Sequence, residues 1–175
     1  MIVVELTKQA IKKINSKRLY TTERGFQGEF LSIIKNLLKA NEVFSNDTIV
    51  EEEYQKRILR HNLRQRPDII IHIPTEDSEN NTVQANNFAV FALKLKSNKK
   101  NALNDFTNLD DMFLKLEYPI GIFINIGGYP NSYLENYNGN YKDRIHEISI
   151  KLDENGETKI RHTHFQNGQI VRTDE

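Results

Sequence analysis

The chain has 175 residues, 38% of them hydrophobic and 27% charged, enough for one domain with a real core and outside the disordered range. Its 24 Lys and Arg balance 24 Asp and Glu, which argues against coating nucleic acid or membrane by bulk charge but leaves room for a local basic patch. There is no Cys, so disulfide scaffolds, thiolate zinc sites and cysteine nucleophiles are excluded.

Met1 to Leu6 show no basic region followed by a long apolar run, so no signal peptide is expected. No stretch approaches the roughly 18 apolar residues of a membrane span, and the expectation is a cytoplasmic protein. A short helix is expected over 6–14. Thr22 is a plausible N-cap, and Phe26, Phe30, Ile33, Ile34, Leu37 and Leu38 recur at helical spacing, which predicts an amphipathic helix over 23–40. Residues 48–54 read as a strand, with Glu51-Glu52-Glu53 as a solvated edge. The β-branched run at 69–73, opened by Pro67 and closed by Pro74, reads as a buried strand. A polar loop over 75–87 and a strand over 88–96 follow. Apolar residues at Leu103, Phe106, Leu109, Phe113 and Leu116 predict a second long helix over 102–117, and 120–126 a third core strand. Tyr129, Tyr133, Tyr137 and Tyr141 recur every four residues, a pattern more suited to packing than to base stacking. Short strands over 145–152, 158–165 and 169–172 are separated by Asn155-Gly156 and Asn167-Gly168, dipeptides that favour type I′ turns. The expectation is one α/β or α+β domain over 1–175: a mixed sheet flanked by helices, with a C-terminal antiparallel meander over about 145–172.

Side chains alternate along a strand. Asp68, Ile70 and His72 therefore share one face, as do Val90, Ala92 and Lys94 on the next strand. A Lys among apolar neighbours needs solvent or an anion. An acid and a lysine at paired strand ends suit a divalent metal and a polarised phosphate. Glu29, three residues after Phe26, is placed at the edge of the apolar helical stripe, where a carboxylate needs a cation or a donor. His162 and His164 share a strand face at a spacing that can bind metal, but without a third ligand they are expected to be exposed.

Phe26-Gln27-Gly28-Glu29-Phe30 on a helix, Arg66-Pro67-Asp68-Ile69-Ile70-Ile71, Phe91-Ala92-Leu93-Lys94, then a helix and the strand Gly121-Ile122-Phe123-Ile124 together resemble the PD-(D/E)XK nuclease superfamily. The resemblance covers about 23–127. It implies a restriction-endonuclease-like fold and a metal-dependent phosphodiester hydrolase, a DNA endonuclease before an RNA one. The implied metal is Mg²⁺ or Mn²⁺, held by Asp68, the Leu93 backbone carbonyl, the residue at position 92 and Glu29. Lys94 would orient water and stabilise charge on the phosphate, and Lys96, Lys99 and Lys100 would contact nucleic acid. One position departs from the pattern: where the superfamily has Asp or Glu, this chain has Ala92. Such a chain is either a natural pseudo-nuclease or a nuclease with its catalytic acid replaced by Ala. Retention of Glu29, Asp68 and Lys94 together favours the second, and both accounts make this form inactive. The alternative is an inert nucleic-acid- or protein-binding module on the same fold. The resemblance also implies a prokaryotic or phage setting in DNA defence, and target recognition shared with a second copy or a partner protein.

Overall fold

The computed structural model describes residues 2–42, 44–52, 66–74 and 86–175. The expected end of the first strand, at Glu53 and Tyr54, and most of the 75–87 loop lie outside them.

Helix α1 (Ile2–Lys12) starts earlier than its periodicity suggested. Val3, Leu6 and Ala10 continue one buried stripe, and burial overrides the weak helix propensity of the Ile2-Val3-Val4 run. A short 3₁₀ turn, Lys17–Thr21, leads into α2 (Glu23–Lys39). Thr22 caps α2, its hydroxyl accepting the Gly25 N–H at 3.1 Å.

Seven strands form one sheet in sequence order: β1 (Ile49–Glu52), β2 (Ile69–His72), β3 (Asn87–Leu95), β4 (Gly121–Ile126), β5 (Ile145–Leu152), β6 (Thr158–Gln166) and β7 (Gln169–Asp174). The pairs β1–β2, β2–β3, β5–β6 and β6–β7 are antiparallel; β3–β4 and β4–β5 are parallel. The fold is α+β, an open mixed sheet with three α-helices among the described residues. Helix α3 (Lys99–Leu116) supplies the crossover that a parallel β3–β4 pair requires. Its N-cap is Asn98, whose side chain accepts the Asn101 N–H at 3.0 Å.

Alternation divides the core. Ile69, Ile71, Phe91, Leu93, Ile122 and Ile124 pack with α1 and α2 on one face. Ile70, Val90 and Phe123 pack with Phe106, Leu109 and Phe113 of α3 on the other. Every residue of β4 is buried, as expected of a strand covered on both faces. Gly121 admits α3 there: a Cβ on it would lie 2.6 Å from the Phe113 ring.

The C-terminal meander is a continuation of the main sheet, because β5 pairs with β4 from Ile145 opposite Gly121 onward. Buried Glu147 on β5 accepts hydrogen bonds from Ser132 Oγ at 2.6 Å and from the Tyr133 and Leu134 amides, fastening the connection before it. Tyr137 and Tyr141 pack edge-on against Phe106 and Phe113, so this part of the tyrosine recurrence is packing. Asn167 and Gly168 both take positive φ, 52° and 76°, as a type I′ turn requires. Asn155-Gly156 does not form that turn. The β5–β6 loop is organised by Asp153, whose Oδ1 accepts the Asn155 and Glu157 N–H groups. The expectation of exposed histidines is corrected too: His162 is buried and His164 half-buried, and the third histidine, His146, lies on the neighbouring strand β5.

Candidate functional site

Asp68 sits where β2 begins. Pro67 cannot donate to a ladder, and pairing with β3 starts at Ile69 opposite Phe91. β3 runs past that pair to Leu95, and the Leu93 and Leu95 N–H groups on this edge are taken by carboxylates. Asp68 Oδ2 accepts the Leu93 N–H at 2.6 Å, and Glu23 Oε2 accepts the Leu95 N–H at 3.2 Å. The N–H and C=O of one strand residue point to the same edge, so the Leu93 carbonyl faces the gap beyond the start of β2. Gln27, buried on α2, fixes the Asp68 backbone by donating from Nε2 to its carbonyl at 3.2 Å.

Ile70 and Val90 point toward α3, and by parity so do Asp68, Ala92 and Lys94. The Lys94 stem lines the cleft while its ammonium reaches to 3.8 Å from Glu23 Oε1. From the other wall comes Asp105, on the α3 stripe that includes Ala102, Phe106 and Leu109. The cleft between sheet and helix has a volume of about 220 Å³ and is lined by Pro67, Asp68, Ala92, Lys94, Asp105 and Asn108, with Leu109 and Met112 beneath.

Asp105 is strongly perturbed by its surroundings. Burial pushes its pKa up to about 6; Lys94 opposes this, while the charges of Asp68 and Glu23 reinforce it. Its Oδ2 is buried and has no hydrogen-bond partner among the described residues. A carboxylate oxygen withdrawn from water without a donor is costly unless a cation or a proton satisfies it. Among the described residues the anionic oxygens that line the cleft are the carboxylates of Asp68 and Asp105, beside the Asn108 amide. Such hard oxygens fit Mg²⁺ or Mn²⁺.

The structure thus brings Asp68, Ala92, Leu93 and Lys94 together as the sequence suggested. It does not bring Glu29 with them. Glu29 is exposed, and α2 presents Glu23 and Gln27 to the site instead. Lys96, Lys99 and Lys100 are exposed where β3 turns into α3, and Lys99 bonds to the Asn136 side chain. Sequence reasoning missed Asp105 and Glu23. The available signal was an acid at the inward stripe position 105, between Ala102 and Leu109, and another two turns before Phe30.

Comparison of the chain with protein-family models, with curated proteins and with solved structures finds no match.

Proposed function

We propose that the chain is a metal-dependent phosphodiester hydrolase, a nuclease of restriction-endonuclease-like fold acting on DNA. The helix, strand, strand, helix, strand order that carries the resemblance recurs as α2, β2, β3, α3 and β4, which supports that fold. One observation carries the activity: Asp105 shares the cleft with Asp68 and Lys94, and its buried Oδ2 has no hydrogen-bond partner among the described residues. On this reading the acid absent at Ala92 is supplied from α3, and the chain is active as it stands. That replaces the accounts in which Ala92 marks a disabled form.

Asp68, Asp105 and the Leu93 carbonyl would hold Mg²⁺ or Mn²⁺. The bound ion would supply charge stabilisation at a phosphate oxygen and an acidified water. Lys94, its ammonium 3.8 Å from Glu23 Oε1, would donate to the scissile phosphate and orient the attacking water. Glu23 limits where the Lys94 ammonium can go, and Gln27 keeps Asp68 at the strand end. Lys96 and Lys100 would contact flanking phosphates, an interaction that weakens with salt.

The test is cleavage of plasmid, linear duplex, single-stranded DNA and RNA with Mg²⁺ or Mn²⁺, by this chain and by Lys94→Ala. Metal-dependent cutting by the first and loss by about 100-fold or more in the second is expected. Binding of DNA without cleavage under any metal would favour the inert module.

A further inference from the structure

We propose a second metal site, remote from the cleft, in which His146, His162 and His164 bind a borderline divalent cation such as Zn²⁺. His146 lies on β5, opposite His164 of β6, and His162 is opposite Ile148, the next inward residue along β5. Cross-strand and diagonal neighbours on one face are within reach of each other. One ligand atom from each of the three lies within 4.8 Å of the other two. The face is the one that carries Ile148, Ile150 and Ile160 beside α1 and α2. The candidate nuclease cleft opens on the other face, toward α3, and is built on β2 and β3.

The three rings have few ordinary partners. They are stacked, with centroids 4.7–5.2 Å apart and interplanar angles of 10–18°. A neutral imidazole brings one donor and one acceptor. Among the described residues the trio makes one hydrogen bond, between His146 Nδ1 and His162 Nε2 at 2.8 Å. His164 Nδ1 is buried with no partner among them. Three stacked bases with lone pairs left over call for a shared acceptor of electron density.

Protonation does not meet that need. Burial, then repulsion among the rings, lowers His146 to about 4 and His162 to about 3, and burial lowers His164 as well. The neutral imidazole is the form that ligates metal. Lys8 contributes positive charge nearby, but its ammonium is 3.1 Å from Glu5 and 2.9 Å from Glu175, and Lys12 also pairs with Glu175.

Zn–N bonds of about 2.0–2.1 Å place tetrahedral nitrogens about 3.4 Å apart. Ligand atoms that lie within 4.8 Å of one another are already near that spacing. Imidazole sets favour Zn²⁺, Cu²⁺ and Ni²⁺ over Mg²⁺, so the two sites differ in ion as well as in place. With three protein ligands the fourth position is left to solvent, on the side of half-exposed His164.

The test is calorimetric titration of Zn²⁺ into the full chain carrying Asp68→Asn and Asp105→Asn, so that the cleft contributes nothing. One equivalent should bind, ring ¹H–¹⁵N resonances of three histidines should move, and Tm should rise. Co²⁺ should give visible d–d absorption. His164→Ala and His162→Gln should each weaken binding by at least about tenfold, and circular dichroism identifies any variant that has unfolded. Absence of Zn²⁺ binding by the folded chain, or equal binding by a folded His162→Gln/His164→Ala variant, would overturn the site.

Discussion

Asp105 sets the pH behaviour expected of the cleft. Its raised pKa means that the folded state disfavours the carboxylate relative to the unfolded chain. The neutral acid costs the fold nothing below the ordinary value of 3.8, and stability is lost as pH rises through about 6. Asp105→Asn should therefore raise Tm at pH 7.5 and have little effect at pH 3.5; thermal unfolding at the two values measures this. The same carboxyl must lose its proton before it can hold a cation. Cleavage at limiting Mg²⁺ should fall as pH drops below about 6, and a rate profile flat from pH 5 to 8 would contradict that role. Asp68 and Lys94 were legible in the sequence because strand parity is a period-two rule: Lys94 sits on β3, and Asp68 directly precedes β2. Glu29 was placed at the stripe's edge from its spacing to Phe26 and Ile33, and Ile33 is only half-buried. The buried residues Gln27, Phe30 and Ile34 centre the stripe elsewhere, and Glu23, seven residues before Phe30, falls on that centre.

At the scale of elements, α3 carries the acid, so its seating matters to the chemistry. Asn98→Ala removes the N-cap bond and should destabilise the fold by about 1 kcal/mol, read as a lower denaturation midpoint. Gly121→Val is expected to be worse, because its Cβ alone would meet the Phe113 ring at 2.6 Å, and α3 must lift from the sheet to admit it. Loss of cleavage in Gly121→Val with Asp68 and Lys94 intact would tie activity to where the helix sits. The seven strands and the three helices were legible as elements, since each carries a clear period. The antiparallel pairing of the three meander strands was expected and is found; the register within each pair was not legible. Nothing in the spacing of His146 from His162 states that β5 and β6 pair so that all three imidazoles converge, because register emerges only when both strands are laid side by side. The same gap hid Asp105: its helical position was visible, but the strand residues across from it were not.

At the scale of the whole molecule, the meander is part of the sheet and covers apolar surface. β6 pairs with β5 along Ile148 and Ile150 and brings buried Ile160 to the same core. The C-terminal Glu175 also clasps α1 through Lys8 and Lys12. A chain truncated before residue 158 should lose cooperative unfolding and aggregate, since it would expose the β5 edge and its isoleucines. Sedimentation of the soluble fraction and a thermal scan measure this; a truncated chain that melts as sharply as the full one would make the meander dispensable. The sheet also separates the two candidate sites by face: hard oxygens beside α3, imidazoles on the α1 and α2 side. Among the described residues no helix is long and apolar enough to cross a membrane.

The account turns on whether the acid from α3 stands in for the one absent at Ala92. The most direct measurement is Mg²⁺-dependent DNA cleavage by this chain, by Asp105→Asn, by Ala92→Glu and by the double variant Ala92→Glu/Asp105→Asn. The account predicts that this chain cuts, that Asp105→Asn loses about 100-fold or more, and that moving the acid to the strand in the double variant restores part of the loss. Equal cutting by this chain and Asp105→Asn, or cutting by Ala92→Glu alone, would contradict it.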